Sequence, residues 1–186
     1  QITTEPSDFD TGTDSEFDGQ TAMQPQWGTC PVTAQLTGAE SFRLLSLPKS
    51  TTSFDDVVGP FWTQGIASGA DTPDGSPNVW TWDNNSTDNT QTNWQPVTDL
   101  TATPATAGTG FLMFLFDDDD FADPGIQGGF PKNITTNATA SGSFSPAINP
   151  NVGGFTLLGN PFVVTIDFDL FTQTDINAAY VWDPND

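Results

Sequence analysis

The stretch FLMFLF, residues 111–116, decides the fold of this 186-residue chain. Its apolar residues are continuous, whereas a strand with one face in water alternates apolar and polar positions. An uninterrupted apolar run of this kind is typical of a strand that is covered on both faces. We therefore expect residues 110–116 to form a central strand of the core.

Outward from this strand, short apolar runs are separated by Gly, Pro, Asn and Asp from Trp27 onward. These regularly spaced turn residues, with Thr, Val and aromatic residues between them, predict an all-β domain. We expect a β-sandwich or a barrel-like domain with little helix. Short helices are expected within 53–58, where Ser53 is a candidate N-cap, and within 167–176. The predicted strands are 42–47, 78–82, 94–97, 110–116, 130–136, 142–145, 154–158, 161–166 and 179–182.

One phrase of the sequence occurs twice. SFRLLSLPK begins at residue 41 and GFTLLGNPF at residue 154, and the two share an aromatic residue, a Leu-Leu pair and a Pro at the same spacing. Each copy continues through an acidic segment to a Trp-Asp pair, Trp82-Asp83 in the first and Trp182-Asp183 in the second. These matches predict an internal repeat.

The predicted β domain covers residues 27–186. Repeat unit one spans 40–153, with an insertion at 63–77, and the start of unit two spans 154–186. Because the second unit stops early, we expect a longer parent protein.

An acidic extended arm, residues 1–26, precedes the domain. It holds few apolar side chains and cannot form a core of its own. A segment of this kind can add as a strand to the sheet edge of a neighbouring copy, which would bury Ile2, Phe9 and Phe17. We therefore predict a homopolymer in which the arm, or the open second unit at 180–186, crosses to the next subunit, with these three side chains as its assembly residues.

The repeated phrase and its continuation resemble a recurrent module of large surface proteins of Bacteroidota and their relatives, which the type IX secretion system commonly exports. The resemblance covers about residues 40–186 and implies an extracellular β-module of adhesive or structural type without catalytic residues. The first copy departs from the pattern, with Ser46-Leu47 in place of Gly-Asn. The pattern consists of GFTLLGNPF at 154–162, IDF at 166–168, YVWD at 180–183 and GTGF at 108–111.

Charge and composition exclude several functions. The chain has 24 acidic and three basic residues and no His, for a net charge of −21. Nucleic acid and anionic membrane surfaces are disfavoured because both require Lys and Arg. The sequence has no apolar run near 18 residues, so membrane insertion is not expected. Catalysis by Ser-His-Asp, Cys-His or His-bound metal needs the missing His, and we predict that the chain is not an enzyme.

The run DDDDFAD, residues 117–123, directly follows the central strand. Neighbouring carboxylates repel one another, and Ca²⁺ takes oxygen ligands from acids at alternating positions of a loop. Asp117, Asp119 and Asp123 have that spacing and are the predicted calcium ligands, although no EF-hand pattern is present. The alternative is a solvated acidic loop, and no cofactor other than calcium is indicated.

Trp80 and Trp82 lie on one face of a predicted strand because side chains alternate with period two. Two indoles on one strand face form a platform on which a polysaccharide can stack. The alternatives are burial in the core, which is common for large aromatic residues, and a protein interface.

The acidity, the near-absence of Lys and the arm together indicate a secreted or cell-surface protein. We expect a non-enzymatic structural or adhesive module, in one version the subunit of a surface fibre. The alternative is a carbohydrate-binding module that uses Trp80 and Trp82, and a fragment of a secreted hydrolase is a third alternative.

Overall fold

The computed structural model describes residues 30–48, 53–87, 90–102, 106–119, 125–126, 128–138 and 148–161. These residues form antiparallel sheets with almost no helix, so the all-β prediction is confirmed. In chain order the elements are β1 (Cys30–Leu36), β2 (Ser41–Ser46), helix α1 (Asp55–Val58), β3 (Val79–Trp82), a 3-10 turn (Gln91–Asn93), β4 (Trp94–Pro96), β5 (Gly110–Leu115) and β6 (Lys132–Ala138).

The strands form two sheets in a sandwich-like arrangement. A four-stranded sheet has the order β2-β5-β3-β4, and β1 pairs with β6 in a two-stranded sheet. β5 lies between β2 and β3, which confirms the prediction that FLMFLF is a central strand. The register places Leu112 opposite both Leu44 and Trp80, and Phe114 opposite Phe42.

The core lies against one face of the four-stranded sheet, which we call the core face. Phe111, Met113 and Leu115 of β5 are completely buried there, whereas Leu112 and Phe114 are only partly buried. The two faces of FLMFLF are thus unequally buried, although an apolar run of this kind is typical of a strand that is covered on both faces. The remaining fully or nearly fully buried apolar residues of the core cluster are Leu47, Val57, Val58, Phe61, Ile66, Val79, Val97, Leu100 and Ile134.

Helix α1 is the helical turn predicted within 53–58. The Ser53 N–H donates to Asp56 Oδ2 at 3.0 Å, and the Asp56 N–H donates to Ser53 Oγ at 3.4 Å. This reciprocal pair is a capping box, which satisfies two backbone donors at the start of the turn. The turn buries Val57 and Val58 against the core.

The segment 63–77 interrupts the first copy of the repeated phrase but belongs to the fold. Ile66 is 1 % exposed within the core cluster. Asp71 Oδ2 accepts hydrogen bonds from Thr63 N at 2.7 Å and from Thr63 Oγ1 at 2.9 Å, which closes the loop. The buried Asn78 amide donates to Trp62 O at 2.9 Å and to Phe114 O at 3.1 Å, so the loop is tied to β5.

The structure departs from the predicted strands at β1 and at residues 154–158. β1 was not predicted, because its apolar positions are small and alternate with Thr and Gln. The strand predicted at 154–158 is wrong: its backbone is bonded mainly to side chains and turns, with one bridge between Leu158 and Thr109. The predicted elements at 142–145, 167–176 and 179–182, and all but the first residue of 161–166, lie outside the described residues.

Within the described part of the chain, no helix has the length and apolar character that a membrane crossing requires.

Candidate interaction surface

The face of the four-stranded sheet that points away from the core is apolar, and we call it the outer face. Directly paired residues of antiparallel strands share a face, so the register assigns its members. The set contains no charged residue, although the chain carries 24 acids. Its members are Phe42, Leu44, Ser46, Trp80, Trp82, Trp94, Pro96, Gly110, Leu112 and Phe114.

Aromatic rings pack side by side along the outer face. The Phe42 ring lies 5.0 Å from the Phe114 ring in an edge-to-face arrangement and 5.8 Å from the Trp80 ring. Phe114 in turn lies 4.9 Å from Phe116. Phe42 is nevertheless 50 % exposed, whereas the residues of β5 on the core face are sealed from solvent. We call three of these aromatic residues, together with Leu112 between them, the floor of the surface: Phe42, Trp80, Phe114 and Leu112.

Trp80 and Trp82 share this face, as their spacing predicted, but their surroundings differ. The Trp82 indole N–H donates to Phe155 O at 3.2 Å, and its ring lies 5.1 Å from the Trp94 ring. The Trp80 indole N–H has no hydrogen-bond partner among the described residues. Protein contacts therefore hold Trp82, and Trp80 is the indole that remains available. Binding of a polysaccharide by the pair stays a prediction.

The segment 148–161, which we call the crossing segment, runs over one end of the outer face. The Leu157 side chain lies on Gly110, where a Cβ would come 2.7 Å from Leu157 Cγ. The Leu157 N–H donates to Asn84 Oδ1 at 2.8 Å, and the Gly159 N–H donates to Gly108 O at 2.9 Å. The segment thus covers the end where Ser46, Gly110 and Trp82 lie.

Asn149 anchors the start of the crossing segment. It is 8 % exposed, and its amide donates to Ser86 O at 2.9 Å and to Phe155 O at 3.2 Å. Its Oδ1 accepts from the Asn151 N–H at 2.9 Å, and Asn151 Nδ2 donates to Asn85 O at 2.7 Å. These bonds fix the segment to the turn that follows β3.

The two copies of the repeated phrase meet at equivalent positions. Ser46 of the first copy corresponds to Gly159 of the second, and a Cβ on Gly159 would overlap the Ser46 side chain. Ser46 Oγ also donates to Asn160 O at 3.1 Å. The first copy thus has Ser46 where the pattern has glycine. This serine contacts Gly159 of the second copy, where a side chain would not fit. A structural repeat of the two units stays a prediction, because residues 162–186 lie outside the described residues.

The crossing segment presents exposed apolar side chains beside the floor. Phe155 is 52 % exposed and Leu158 is 38 % exposed, and we call these two residues the ridge. The whole of 148–161 lacks charged residues. Floor and ridge are thus two uncharged apolar groups, one on the outer face and one on the segment that crosses its end, in a strongly acidic chain.

A buried lysine that no sequence pattern predicted lies at the acidic run that follows β5. Lys132 is 7 % exposed, and its ammonium donates to the backbone oxygens of Asp117 and Asp118, each at 3.2 Å. Its Nζ also lies 5.6 Å from the centre of the Phe130 ring. The sequence feature that could have pointed to Lys132 is its rarity, because it is one of three basic residues in the chain.

Of the predicted calcium ligands, Asp117 and Asp119 are described and Asp123 is not. Asp119 is exposed, and its carboxylate packs against Gly128, where a Cβ would come 2.6 Å from Oδ2. No group of three or more acidic, His or Cys side chains is arranged to hold a metal ion within the described ranges. Calcium at this loop stays a prediction.

The pKa of the Asp99 carboxylate is lowered by its hydrogen bonds. The Thr101 hydroxyl donates to Asp99 Oδ1 at 2.8 Å, and the Thr101 N–H donates to the same oxygen at 2.8 Å. These bonds, the side-chain one first, hold the pKa of Asp99 below its usual range because they favour the charged form. The Asp99 backbone also forms an isolated bridge with Ser68, so the turn joins two loops, and Asp99 is not among the outer-face residues.

The predicted assembly residues Ile2, Phe9 and Phe17, and the arm 1–26 that contains them, lie outside the described residues. No protein-family model, curated protein or solved structure matches the chain. The resemblance to the Bacteroidota surface module therefore stays a prediction.

Proposed function

We propose that this chain is a non-enzymatic, extracellular structural or adhesive module and that the outer face, with its floor and ridge, is its contact surface. The observation that carries the proposal is the uncharged apolar surface itself. Phe42 and Phe155 are each about half exposed, at 50 % and 52 %, on a chain of net charge −21. Contiguous exposed apolar surface rimmed by polar residues marks interaction sites in soluble proteins.

Electrostatics supports a contact at this surface. The acidic side chains give the protein a field that repels other acidic molecules, and approach is least unfavourable where no carboxylate has to be desolvated. The outer-face residues and the crossing segment supply such a region, because neither contains Asp, Glu, Lys or Arg. A partner would therefore dock by apolar contact and shape, without ion pairs at the centre of the interface.

The non-enzymatic part of the proposal rests on composition and on resemblance. A chain without His lacks the usual general base, the usual metal ligand and the usual partner of a nucleophilic Ser or Cys. The module that the repeated phrase resembles implies no catalytic residues. Secretion follows from the same resemblance and from the acidity of the chain.

A carbohydrate-binding module is the second candidate, favoured by the indole of Trp80. Its N–H has no partner among the described residues and lies beside the half-exposed Phe42 ring, so a sugar ring could stack there. Sugar recognition also needs polar groups that hydrogen-bond the hydroxyls. Ser46 has the one hydroxyl within the outer-face set, and it donates to Asn160 O. Because the outer-face set has so few polar groups, a protein is a better candidate partner than a sugar.

A capture experiment tests the proposal. The full chain is immobilised and offered two probes, a soluble labelled copy of itself and the neutral polysaccharides cellulose and chitin. We expect retention of at least one probe, and loss of that retention in the double variant Phe42→Ser/Trp80→Ser. Ile126→Ser is the matched control, because Ile126 is an apolar residue that is 74 % exposed outside the outer face and the crossing segment.

The proposal fails if no probe is retained, or if the double variant retains its probe as well as the wild-type chain does. It also fails if the Ile126→Ser control loses the probe to the same extent, because the contact would then not belong to the outer face. A melting temperature for each variant shows that the fold is retained.

A further inference from the structure

We propose that the acidic run after β5 carries its own cation. The Lys132 ammonium occupies a binding site for a primary ammonium ion, which is formed by the carbonyl oxygens of Asp117 and Asp118 and by the ring of Phe130. We call this arrangement the ammonium site. The inference goes beyond the proposed function, because it uses neither the outer face nor the crossing segment.

The position of Lys132 in its strand requires a partner inside the protein for its charge. Lys132 is the first residue of β6, and because side chains alternate along a strand it lies on the same side as the core residue Ile134. Lys132 is 7 % exposed and Ile134 is 8 % exposed. A buried charge is costly unless it is paired or hydrogen-bonded, and lysine is rarely buried without such partners. The burial of Lys132 therefore depends on what binds its ammonium group.

Two carbonyls and one ring of the described residues contact this ammonium group. Lys132 Nζ donates to Asp117 O and to Asp118 O, each at 3.2 Å, and lies 5.6 Å from the centre of the Phe130 ring. Backbone carbonyls are oxygen ligands for cations, and the face of an aromatic ring attracts a cation through its quadrupole. The groups around Nζ are thus those of a cation site, with the cation supplied by a side chain.

Charge explains why a cation is useful at this place. The site lies at the start of four consecutive carboxylates, residues 117–120, which repel one another. A positive charge held at the first two carbonyls lowers this repulsion where the chain leaves β5. A calcium ion that used the same carbonyls would be repelled by the ammonium beside it. The fixed cation therefore fills the role for which the spacing of Asp117, Asp119 and Asp123 predicted calcium.

A second basic residue contacts the same ring. Arg43 Cζ lies 5.9 Å from the centre of the Phe130 ring, and the guanidinium donates to the backbone oxygens of Phe42, Thr37 and Ala39, each at 3.1 Å. Two of the three basic residues of the chain thus approach one ring and bind backbone carbonyls. This common use of two scarce cations supports a requirement for positive charge at this corner of the fold.

Chemical rescue tests the ammonium site. Lys132→Ala removes the side chain beyond Cβ, and n-propylammonium has the size and charge of the missing part. At equal ionic strength, we expect propylammonium chloride to raise the melting temperature of this variant by about 2–4 °C above its value in NaCl. The uncharged 1-propanol, at the same concentration, should give no such rise. Lys49→Ala, the same change at the other lysine of the chain, is the matched control and should melt alike in both salts.

A second variant separates charge from packing. Lys132→Met keeps the apolar length of the side chain and removes the ammonium, so the Asp117 and Asp118 carbonyls lose their donor. We expect its melting temperature to lie about 2–4 °C or more below that of the wild-type chain. Where Lys132→Ala fails to fold in NaCl, recovery of the folded state in propylammonium but not in 1-propanol supports the site in the same way.

Three results would overturn the ammonium site. One is propylammonium stabilising Lys132→Ala no more than 1-propanol does, since the side chain would then act only by filling space. Another is a Lys132→Met chain as stable as the wild type. The third is a wild-type melting temperature that falls when a chelator is added, because a metal ion would then supply the charge. None of these measurements involves the outer face, so their failure leaves the proposed function standing.

Discussion

The two faces of the four-stranded sheet use similar side chains but differ in what covers them. On the core face, Phe111 and Met113 are sealed beneath α1 and the loop 63–77. On the outer face, Leu112 and Phe114 of the same strand are partly exposed, and the crossing segment covers one end of it. Apolar composition therefore does not distinguish the sealed face of the sheet from the partly exposed one, whereas the described elements packed on each face do.

The largest expected effect contrasts two phenylalanines of β5. Phe111→Ala removes a fully buried ring that packs edge-to-face on Phe54 at 5.4 Å, and should lower the free energy of unfolding by about 3–5 kcal/mol. Phe114→Ala, on the outer face, should cost about 1–2 kcal/mol because water already reaches that ring. Urea unfolding measures both, and equal losses would contradict the distinction between the faces.

The attachment of the crossing segment can be broken at one glycine. Gly159→Ala places a Cβ within the Ser46 side chain, and we expect a loss of about 1–3 kcal/mol in unfolding free energy. Because a Cβ cannot rotate away, the relief must come from Ser46. The double variant Ser46→Gly/Gly159→Ala should regain stability relative to Gly159→Ala alone. A double-mutant cycle by urea unfolding measures the coupling, and additive effects would show that the two residues do not touch.

The acidic run begins where β5 ends, and the Lys132 ammonium bonds to its first two backbone carbonyls. Lys132→Met leaves the Asp117 and Asp118 carbonyls without their ammonium donor, and should lower the unfolding free energy by about 1–3 kcal/mol. Arg43→Met is the control, since Arg43 is a partly exposed cation whose bonds go to carbonyls nearby in sequence. A loss no greater than that of the control would contradict a structural role for Lys132.

The same thermal melts, repeated with a chelator, test the calcium prediction at Asp117, Asp119 and Asp123. A wild-type melting temperature that falls on chelation supports calcium at this loop. An unchanged temperature favours the solvated acidic loop, with Lys132 supplying positive charge.

The smallest expected effect is on acid stability. The folded pKa of Asp99 lies below its usual range because Thr101 donates two hydrogen bonds to the carboxylate. A depressed folded pKa contributes stability above the unfolded pKa, and that contribution is lost as the pH falls through the folded pKa. Thr101→Val should raise the Asp99 pKa toward its ordinary range, as an NMR titration of the carboxyl carbon would show. An unchanged pKa would show that the hydroxyl is not the cause.

Much of the sheet could be predicted from local pattern. The apolar run at 111–116 identified the central strand, Ser53 as a candidate N-cap identified the short helical turn, and period two placed Trp80 and Trp82 on one face. Each of these features depends on residues that are near one another in the sequence.

The remaining features depend on contacts between distant residues, which a local pattern does not contain. Nothing near residues 154–158 shows that their backbone will bond to Asn84 and Trp82 instead of joining a sheet. The pairing of Lys132 with Asp117 and Asp118 likewise depends on how the chain returns after β5. The apolar run could not reveal that, among the described residues, only the crossing segment covers part of its second face, because covering is decided by elements elsewhere in the chain.

The indole N–H resonances of Trp80 and Trp82, followed by two-dimensional NMR as a soluble form of the probe that the capture experiment retains is added, test most directly whether the outer face is the contact surface. Both residues lie on that face, but Trp82 is already bonded to Phe155 O and Trp80 has no such bond among the described residues. We predict that the Trp80 signal shifts as the probe binds while the Trp82 signal stays in place. A Trp80 signal that does not move while the probe binds would contradict the account.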